Sequence, residues 1–585
     1  MSLISNEMET RSMHPVEEGE RQSSHLLVVF GLAFVLVSAL IVRLYYFSQH
    51  SVYTTDSYYF LLLARSIRGG AGYTVRGFAH YKYFPGYPLL IAFLSIFLRN
   101  YEWTAGIIAA VSGVISVLFS YLIGKELFSE VAGLLGASIL AFHPVFMQFT
   151  ASPMTEGLFT ALFCAGLYLL ITGCRGGSSF RRVLGFALAG LSLATRVEGI
   201  LFIPLALLVI FLYWKENRPK PWEIPLMLFV YSLPLGLYLL RNILRAGRLS
   251  AYTQEYEKTK AINLRLMVER TRLLAWNTLY DKLLFYLGSL VALLRRWKAF
   301  LILFGWFFLF VVFHVFWYYT HPRFLAPALP AVCILAGYFL YEACSICLRA
   351  INHIWERAKG FAGIQASGKG IVSGAQVDKA ALVCKSSSES VDGKRGKGLK
   401  LARGCIIAFF ALLFCLVIFQ NVRNAEHEVR WQINTMAGDM GGRAIKHAVD
   451  FFKQNGGCSQ VIATTVGPYF AWEYKGPVLY TKDVPVAIPF EKADVKPPDL
   501  IRKLAERKVR YFLITNISGG KKDLIFPGVP EDARKELAQA GVRQSEVKRL
   551  RLVKYWNEYY RGRKPPRVFV AIFEILPEQS RSAKN

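Results

Sequence analysis

Four short polar strings interrupt an otherwise apolar chain: Thr54-Thr55-Asp56-Ser57-Tyr58-Tyr59, Ser152-Pro153-Met154-Thr155-Glu156, Thr195-Arg196-Val197-Glu198-Gly199 and His321-Pro322-Arg323-Phe324. A charged side chain at the centre of a membrane helix costs about 2.5 to 3.5 kcal/mol on insertion scales, so ions kept this close to apolar runs need an explanation. A carboxylate is an adequate general base for a sugar hydroxyl, which is a weak nucleophile. A guanidinium presents a planar fork matched to phosphate oxygens. Carboxylates and cations together can therefore displace a lipid phosphate from a sugar. The departing phosphate is already a stable anion, so, unlike a glycosidase, such a site needs no protonated carboxylic acid. On this reading Asp56 and Glu156 are the catalytic candidates. Arg196, Arg323, His321, Arg241 and Lys82 are candidate ligands of the donor phosphate, and Tyr58, Tyr59, Glu198 and Tyr87 are candidate substrate-positioning residues. The scheme requires no cofactor and no metal.

Positioning these groups falls to the apolar runs between them. The 585 residues are 54% hydrophobic and 14% aromatic, which excludes a soluble enzyme, a disordered hub and a disulfide scaffold. Runs near 20 residues match a hydrocarbon core of about 30 Å. They are expected to span at 26–47, 104–124, 131–150, 154–172, 183–195, 199–214, 224–240, 276–294, 299–319, 324–347 and 399–419. The stretch 85–98 is apolar but short, with Pro85, Gly86 and Pro88 at its head, so a re-entrant or interfacial helix is expected there. The fold class is a polytopic α-helical membrane protein of about 11 spans plus that helix. Most of the nine cysteines, such as Cys164, Cys333, Cys405 and Cys415, sit inside apolar runs as small core residues.

The formal charge is 69 minus 40, or +29. In a soluble protein that balance would suggest nucleic acid; in a polytopic one the placement of Lys and Arg sets orientation instead, and no nucleic-acid partner is expected. With residues 1–25 cytoplasmic, the inner connections carry Arg175, Arg181 and Arg182, then Lys215, Arg218 and Lys220, then Arg295, Arg296 and Lys298. The loop 349–398 is a flexible basic segment on the same side, followed by a last span at 399–420. The bilayer region 26–348 then holds its outer loop 48–84, and with it all four polar strings, on the extracytoplasmic side. Residues 421–585 follow outside as a domain. Helical patterns at Ile445, Ala448, Val449 and Phe452 and at Leu500, Ile501 and Leu504 alternate with strand-like runs at 461–464, 509–515 and 568–576. An α/β domain is expected.

Each candidate also has a plainer reading. Asp56 could cap a helix starting at Ser57, and Glu156 could be a first-turn acid favoured by the helix dipole. Arg196 and Glu198 could pair with each other, and His321 could be a solvated turn residue. Convergence on one face of the membrane is what favours chemistry over four separate accidents.

The strings also carry a resemblance. Asp56-Ser57-Tyr58-Tyr59 with Leu63-Ala64-Arg65 and Gly72-Tyr73, then Phe84-Pro85-Gly86-Tyr87-Pro88-Leu89-Leu90, resembles the first loop of GT-C glycosyltransferases. His143-Pro144, Met154-Thr155-Glu156, Thr195 to Gly199 and Pro322-Arg323-Phe324-Leu325-Ala326-Pro327 follow in the order of the protein O-mannosyltransferase and lipid A aminoarabinose transferase group. The resemblance implies a GT-C-like catalytic region and transfer of a sugar from a polyprenyl-phosphate donor to a glycan, lipid or protein acceptor outside the cytoplasm, with inversion. Asp56 matches the family's catalytic acid position and Glu156 a second one. Where many protein O-mannosyltransferases carry Asp-Glu, Ser57 follows Asp56 here, a departure that bears on a protein acceptor. Two other classes compete. An oligosaccharyltransferase-like enzyme would call for a divalent metal and more acidic ligands. A transporter would show inverted repeats and broken helices, neither of which is evident in the sequence. Gly363 to Lys369 has P-loop spacing, but Gly370 stands where Ser or Thr is required.

Overall fold

The computed structural model describes residues 15–49, 55–75, 78–247, 279–316, 322–367, 401–424, 426, 442–455, 462–464, 472, 474, 478–480, 500–506, 509–515, 529–540, 542–558 and 568–576. A long apolar helix α1 (Pro15–Gln49) leads to α2 (Thr55–Arg68), a two-stranded ribbon β1–β2 (Thr74–Val75, Phe78–Ala79) and α3 (Gly86–Leu98). Then come α4 (Tyr101–Leu127), α5 (Glu130–Ala141), α6 (Pro144–Thr150), α7 (Glu156–Arg175) and α8 (Ser179–Leu193). A 3-10 turn (Val197–Leu201) opens α9 (Phe202–Leu212), followed by α10 (Glu223–Ala246), α11 (Leu279–Arg295) and α12 (Trp297–Val315). A second 3-10 turn (Pro322–Ala328) runs into α13 (Leu329–Ser367), and α14 (Leu401–Asn424) closes the bundle.

Each expected span meets a helix, but not all are straight or long. Among the described residues, seven helices are long and apolar enough to cross a membrane, or up to eight if the bent pair α5 and α6 is one span. The expected span 131–150 is broken, with its halves meeting at 64°. Pro144 lacks the amide that would continue the α5 ladder, and it opens α6 at the first helical position instead. One broken helix therefore exists where the sequence suggested none. At 13 residues, α3 reaches only about 20 Å, too short to cross, and it leaves Phe93, Ile96 and Phe97 exposed along one side. The Gly363–Ser367 part of the P-loop look-alike is helical, the end of α13.

Small residues let the helices approach. A Cβ on Gly166 of α7 would lie 2.7 Å from the Gly185 carbonyl of α8, and one on Gly136 of α5 would lie 2.8 Å from Ile334 Cα of α13. Between them a buried aromatic core forms around Phe163, Phe202, Trp306 and Phe310. The outward sides of α1, α10 and α14 keep Phe34, Phe229, Leu237 and Phe409 exposed, as lipid-facing helices do.

After the bundle comes a mixed sheet of order β4-β3-β5-β7-β6. Strands β3 (Ile462–Thr464), β4 (Val478–Tyr480) and β5 (Tyr511–Thr515) run parallel, and β6 (Leu550–Glu558) and β7 (Val568–Ile575) are antiparallel neighbours. Helices α15 (Gly442–Gln454), α16 (Leu500–Glu506) and α17 (Glu531–Ala540) accompany the sheet. Strands β3, β5 and β7 coincide with the expected runs, whereas β4 and β6 and helix α17 were not foreseen. Trp472 joins this unit to the bundle. Its ring lies under the Arg65 guanidinium at 3.7 Å, and its indole N–H donates to Glu102 Oε1 at 2.6 Å.

Candidate active site

The four polar strings meet at one end of the bundle. Asp56 occupies the first turn of α2, where an acid also suits the helix dipole. Its Oδ1 accepts from the Tyr83 hydroxyl at 2.6 Å and its Oδ2 from Arg323 Nη1 at 2.9 Å. Burial works against the charge, but Arg323, Tyr83 and Lys82 outweigh it and hold the Asp56 carboxyl below the usual carboxylate range. Tyr83 is itself fixed: its ring stacks on His80 with centroids 5.4 Å apart, and its backbone N–H donates to His80 Nε2 at 3.1 Å. Burial, with Lys82 and Arg241 nearby, lowers His80 to about 3, which keeps the ring neutral and able to accept that bond.

Glu156 begins α7 and is fully buried. Its Oε1 accepts from Arg196 Nη1 at 2.6 Å, while its Oε2 has no hydrogen-bond partner among the described residues. Arg196 sits in the turn between α8 and the first 3-10 segment and grips Glu198 with both arms of its fork, Nη2 to Oε1 at 2.6 Å and Nε to Oε2 at 3.3 Å. The pairing of Arg196 with Glu198 is thus real, and it extends to a second carboxylate. His314, near the end of α12, places Nε2 3.2 Å from Glu198 Oε1.

Three contacts bind the halves. Arg323 lies within electrostatic reach of Asp56, Glu156 and Arg196. The Ser57 hydroxyl points to Met154 Sδ at 3.4 Å, tying α2 to the turn before Glu156. The Gly86 amide donates to the Ala194 carbonyl at 2.8 Å, and a Cβ at Gly86 would lie 2.6 Å from Thr195 Cγ2, so this approach of α3 to the Arg196 turn requires glycine.

Not every candidate points at the cluster's centre. Lys82 is half-buried beside Tyr83 and acts electrostatically on Asp56. Arg241 directs its fork to the carbonyls of His80 and Tyr73, bracing the outer loop. Tyr58 and Tyr59 are buried in the packing of α2, and the Tyr87 hydroxyl donates to the Ala105 carbonyl at 2.8 Å, joining α3 to α4. His321 lies outside the described residues. Sequence reasoning missed Tyr83 and His314. The signal for His314 was present, since a titratable side chain inside an apolar run is a functional candidate by default. Among the described residues no group of three or more His, Cys, Asp or Glu side chains could hold a metal ion.

The sequence model of the dolichyl-phosphate-mannose-protein mannosyltransferase family matches residues 83–239, which include Lys82's neighbour Tyr83, Glu156, Arg196 and Glu198. No curated protein sequence matches the chain. Among solved structures, ArnT from Cupriavidus metallidurans in the apo state is 15% identical over 94% of this chain and 98% of that one, with a TM-score of 0.60. The same protein bound to undecaprenyl phosphate is 12% identical over 92% and 97%, with a TM-score of 0.54. The expected GT-C fold is therefore the fold of this chain.

Proposed function

We propose that this chain is a glycosyltransferase that moves a sugar from a polyprenyl-phosphate donor to an acceptor hydroxyl on a lipid, polysaccharide or protein outside the cytoplasm, inverting the anomeric centre. The observation that carries this reading is the convergence of two carboxylates, Asp56 and Glu156, each bonded to an arginine from another turn, Arg323 and Arg196. Its support from outside the site is the fold shared with ArnT, one structure of which is bound to undecaprenyl phosphate.

In the proposed reaction the acceptor oxygen bonds to the anomeric carbon and its proton passes to Asp56. The bond from that carbon to the phosphate oxygen breaks, and its electrons leave with the polyprenyl phosphate. Arg323 is the natural ligand for that phosphate, with Arg196 behind it and Lys82 and Arg241 along the loop. A phosphate drawing on the Arg323 fork loosens its hold on Asp56. The carboxylate then becomes a stronger base at the moment when one is needed. Glu156, with Oε2 unclaimed, orients the acceptor hydroxyl. Tyr58, Tyr59 and Tyr87 contribute by packing the helices that present Asp56. We further assign residues 1–25 and 349–398 to the cytoplasm and 421–585 to the outside, by the distribution of Lys and Arg.

The test is to supply membranes carrying the chain with labelled polyprenyl-phosphate sugars and measure both release of polyprenyl phosphate and labelling of an acceptor. Donor that crosses or binds the membrane without cleavage would point to transport and overturn the reading. For orientation, a reporter that works only outside the cytoplasm should be active after Asn585 and silent within 385–400; the reverse pattern would place the site on the wrong side.

A further inference from the structure

His314 has no part in the reaction as written, yet it is buried, touches Glu198 and stacks on the residue next to Arg323. Its Nδ1 lies 2.9 Å from the Phe310 carbonyl oxygen and its Nε2 3.2 Å from Glu198 Oε1. A carboxylate only accepts, so at the Glu198 contact the His314 Nε2–H is the donor. The ring plane is fixed as well. It stacks on Phe324 at 5.0 Å and 7°, and Phe313 meets it edge-on at 5.1 Å. Phe324 directly follows Arg323, the partner of Asp56.

We propose that His314 is a positioning residue that keeps Glu156 usable. Arg196 can point its fork at either of two carboxylates. By donating to Glu198 Oε1, His314 fixes Glu198 where Arg196 engages it with two nitrogens, so only one nitrogen reaches Glu156. Without that anchor Glu198 is free to turn, and the Arg196 fork closes on both oxygens of Glu156, the geometry that arginine and carboxylate prefer. Glu156 Oε2 is then lost to the acceptor.

The test of turnover rests on the transferase reading; the spectroscopic test does not. His314→Phe keeps the stack on Phe324 and removes the donor to Glu198, while His314→Gln restores one. Transfer by the Phe variant should fall about 10²-fold, the scale of a misplaced catalytic constellation, with binding of labelled polyprenyl phosphate retained, and the Gln variant should recover at least a tenth of the wild-type rate. Combining His314→Phe with Glu198→Gln should cost no more than the worse single change, because both act through the same bond. Nitrogen NMR of labelled histidine in lipid nanodiscs, with the signal assigned by its loss in the Phe variant, should find the His314 Nε2 carrying a hydrogen-bonded proton whose signal moves when Glu198→Gln is introduced. Wild-type turnover in the Phe variant, multiplicative losses in the double variant, or an Nε2 without a proton beside intact Glu198 would each overturn the proposal. If the Phe variant fails to fold, the Gln variant and the NMR measurement decide. If the wild-type protein transfers no sugar from any donor while the NMR result holds, the transferase reading fails and the role of His314 in fixing Glu198 stands.

Discussion

Two arginines flank the length of α8, Arg182 buried near its head and Arg196 partly buried just past its tail, and they solve the same problem differently. At its head Arg182 meets Glu223 with Nε to Oε2 at 2.7 Å and Nη2 to Oε1 at 3.0 Å; Ser179 donates to Oε1 at 2.7 Å and the Gly173 carbonyl takes Nη1 at 2.9 Å. Both carboxylate oxygens are engaged. Just past the tail of α8, Arg196 divides its fork between Glu198 and Glu156, and Glu156 Oε2 has no hydrogen-bond partner among the described residues. The first arrangement closes on itself and can only hold α8 and α10 in place. The second leaves one carboxylate oxygen unmatched among the described residues, at the cost that an unsatisfied buried acceptor carries. Both arginines pair with buried carboxylates, and completeness separates the closed pair from the open one.

Four measurements would break or sharpen that contrast. The largest effect is expected at the open end: Asp56→Asn keeps shape and hydrogen bonding but removes the proposed base, and turnover should fall by about 10² to 10⁴ with membrane insertion and donor binding intact. Near-normal turnover would transfer the role of base to Glu156, whose Gln variant is otherwise expected to be the milder of the two. At the closed end, Arg182→Ala should destabilise the protein by about 3 to 5 kcal/mol, since it strands the buried Glu223. The rate per folded molecule should not change, and a selective loss of turnover would mean that the closed pair is more than a strut.

A smaller effect is expected for the proposed phosphate ligand. Arg323→Ala should weaken donor binding by about one to two powers of ten, the worth of charge-assisted hydrogen bonds, and Arg323→Lys by less because only the fork is lost. Donor affinity unchanged in alanine variants of both Arg323 and Arg196 would move the phosphate towards Lys82 and Arg241. The smallest effect concerns acid. Because Asp56 is held below its ordinary range, its ion pair adds stability that is complete above that range and fades as the pH drops through the lowered value. Thermal unfolding of the wild-type protein should therefore lose its margin over Asp56→Asn only at strongly acidic pH. A margin that vanishes near neutrality would contradict the lowered carboxyl.

Much of this was legible from residue order. Charged residues beside apolar runs are expensive enough to stand out, so Asp56, Glu156, Arg196 and Arg323 could be picked before any contact was known. The bend before Pro144 was present in the sequence but masked by the uninterrupted hydrophobicity of 131–150. Tyr83 hides among Tyr81, Lys82 and Phe84, where nothing in one dimension says which aromatic turns inward. His314 reads as one polar residue in a phenylalanine-rich helix until Glu198, 116 residues away, is brought beside it. Strand β6 alternates weakly and carries Arg551 and Lys554, so its pairing with β7 decides its conformation more than its own composition does.

The ion pair at Asp56 also sets a clock. Its two residues are 267 positions apart, and a ribosome adds about 5 to 20 residues per second. Arg323 is thus made roughly 13 to 50 s after Asp56. Throughout that interval the carboxylate lacks its arginine, and His314 follows only nine positions ahead of Arg323. On the proposed reading, the chain gains its phosphate ligand only after most of its helices have been made, and a product truncated before Arg323 is expected to lack transfer activity.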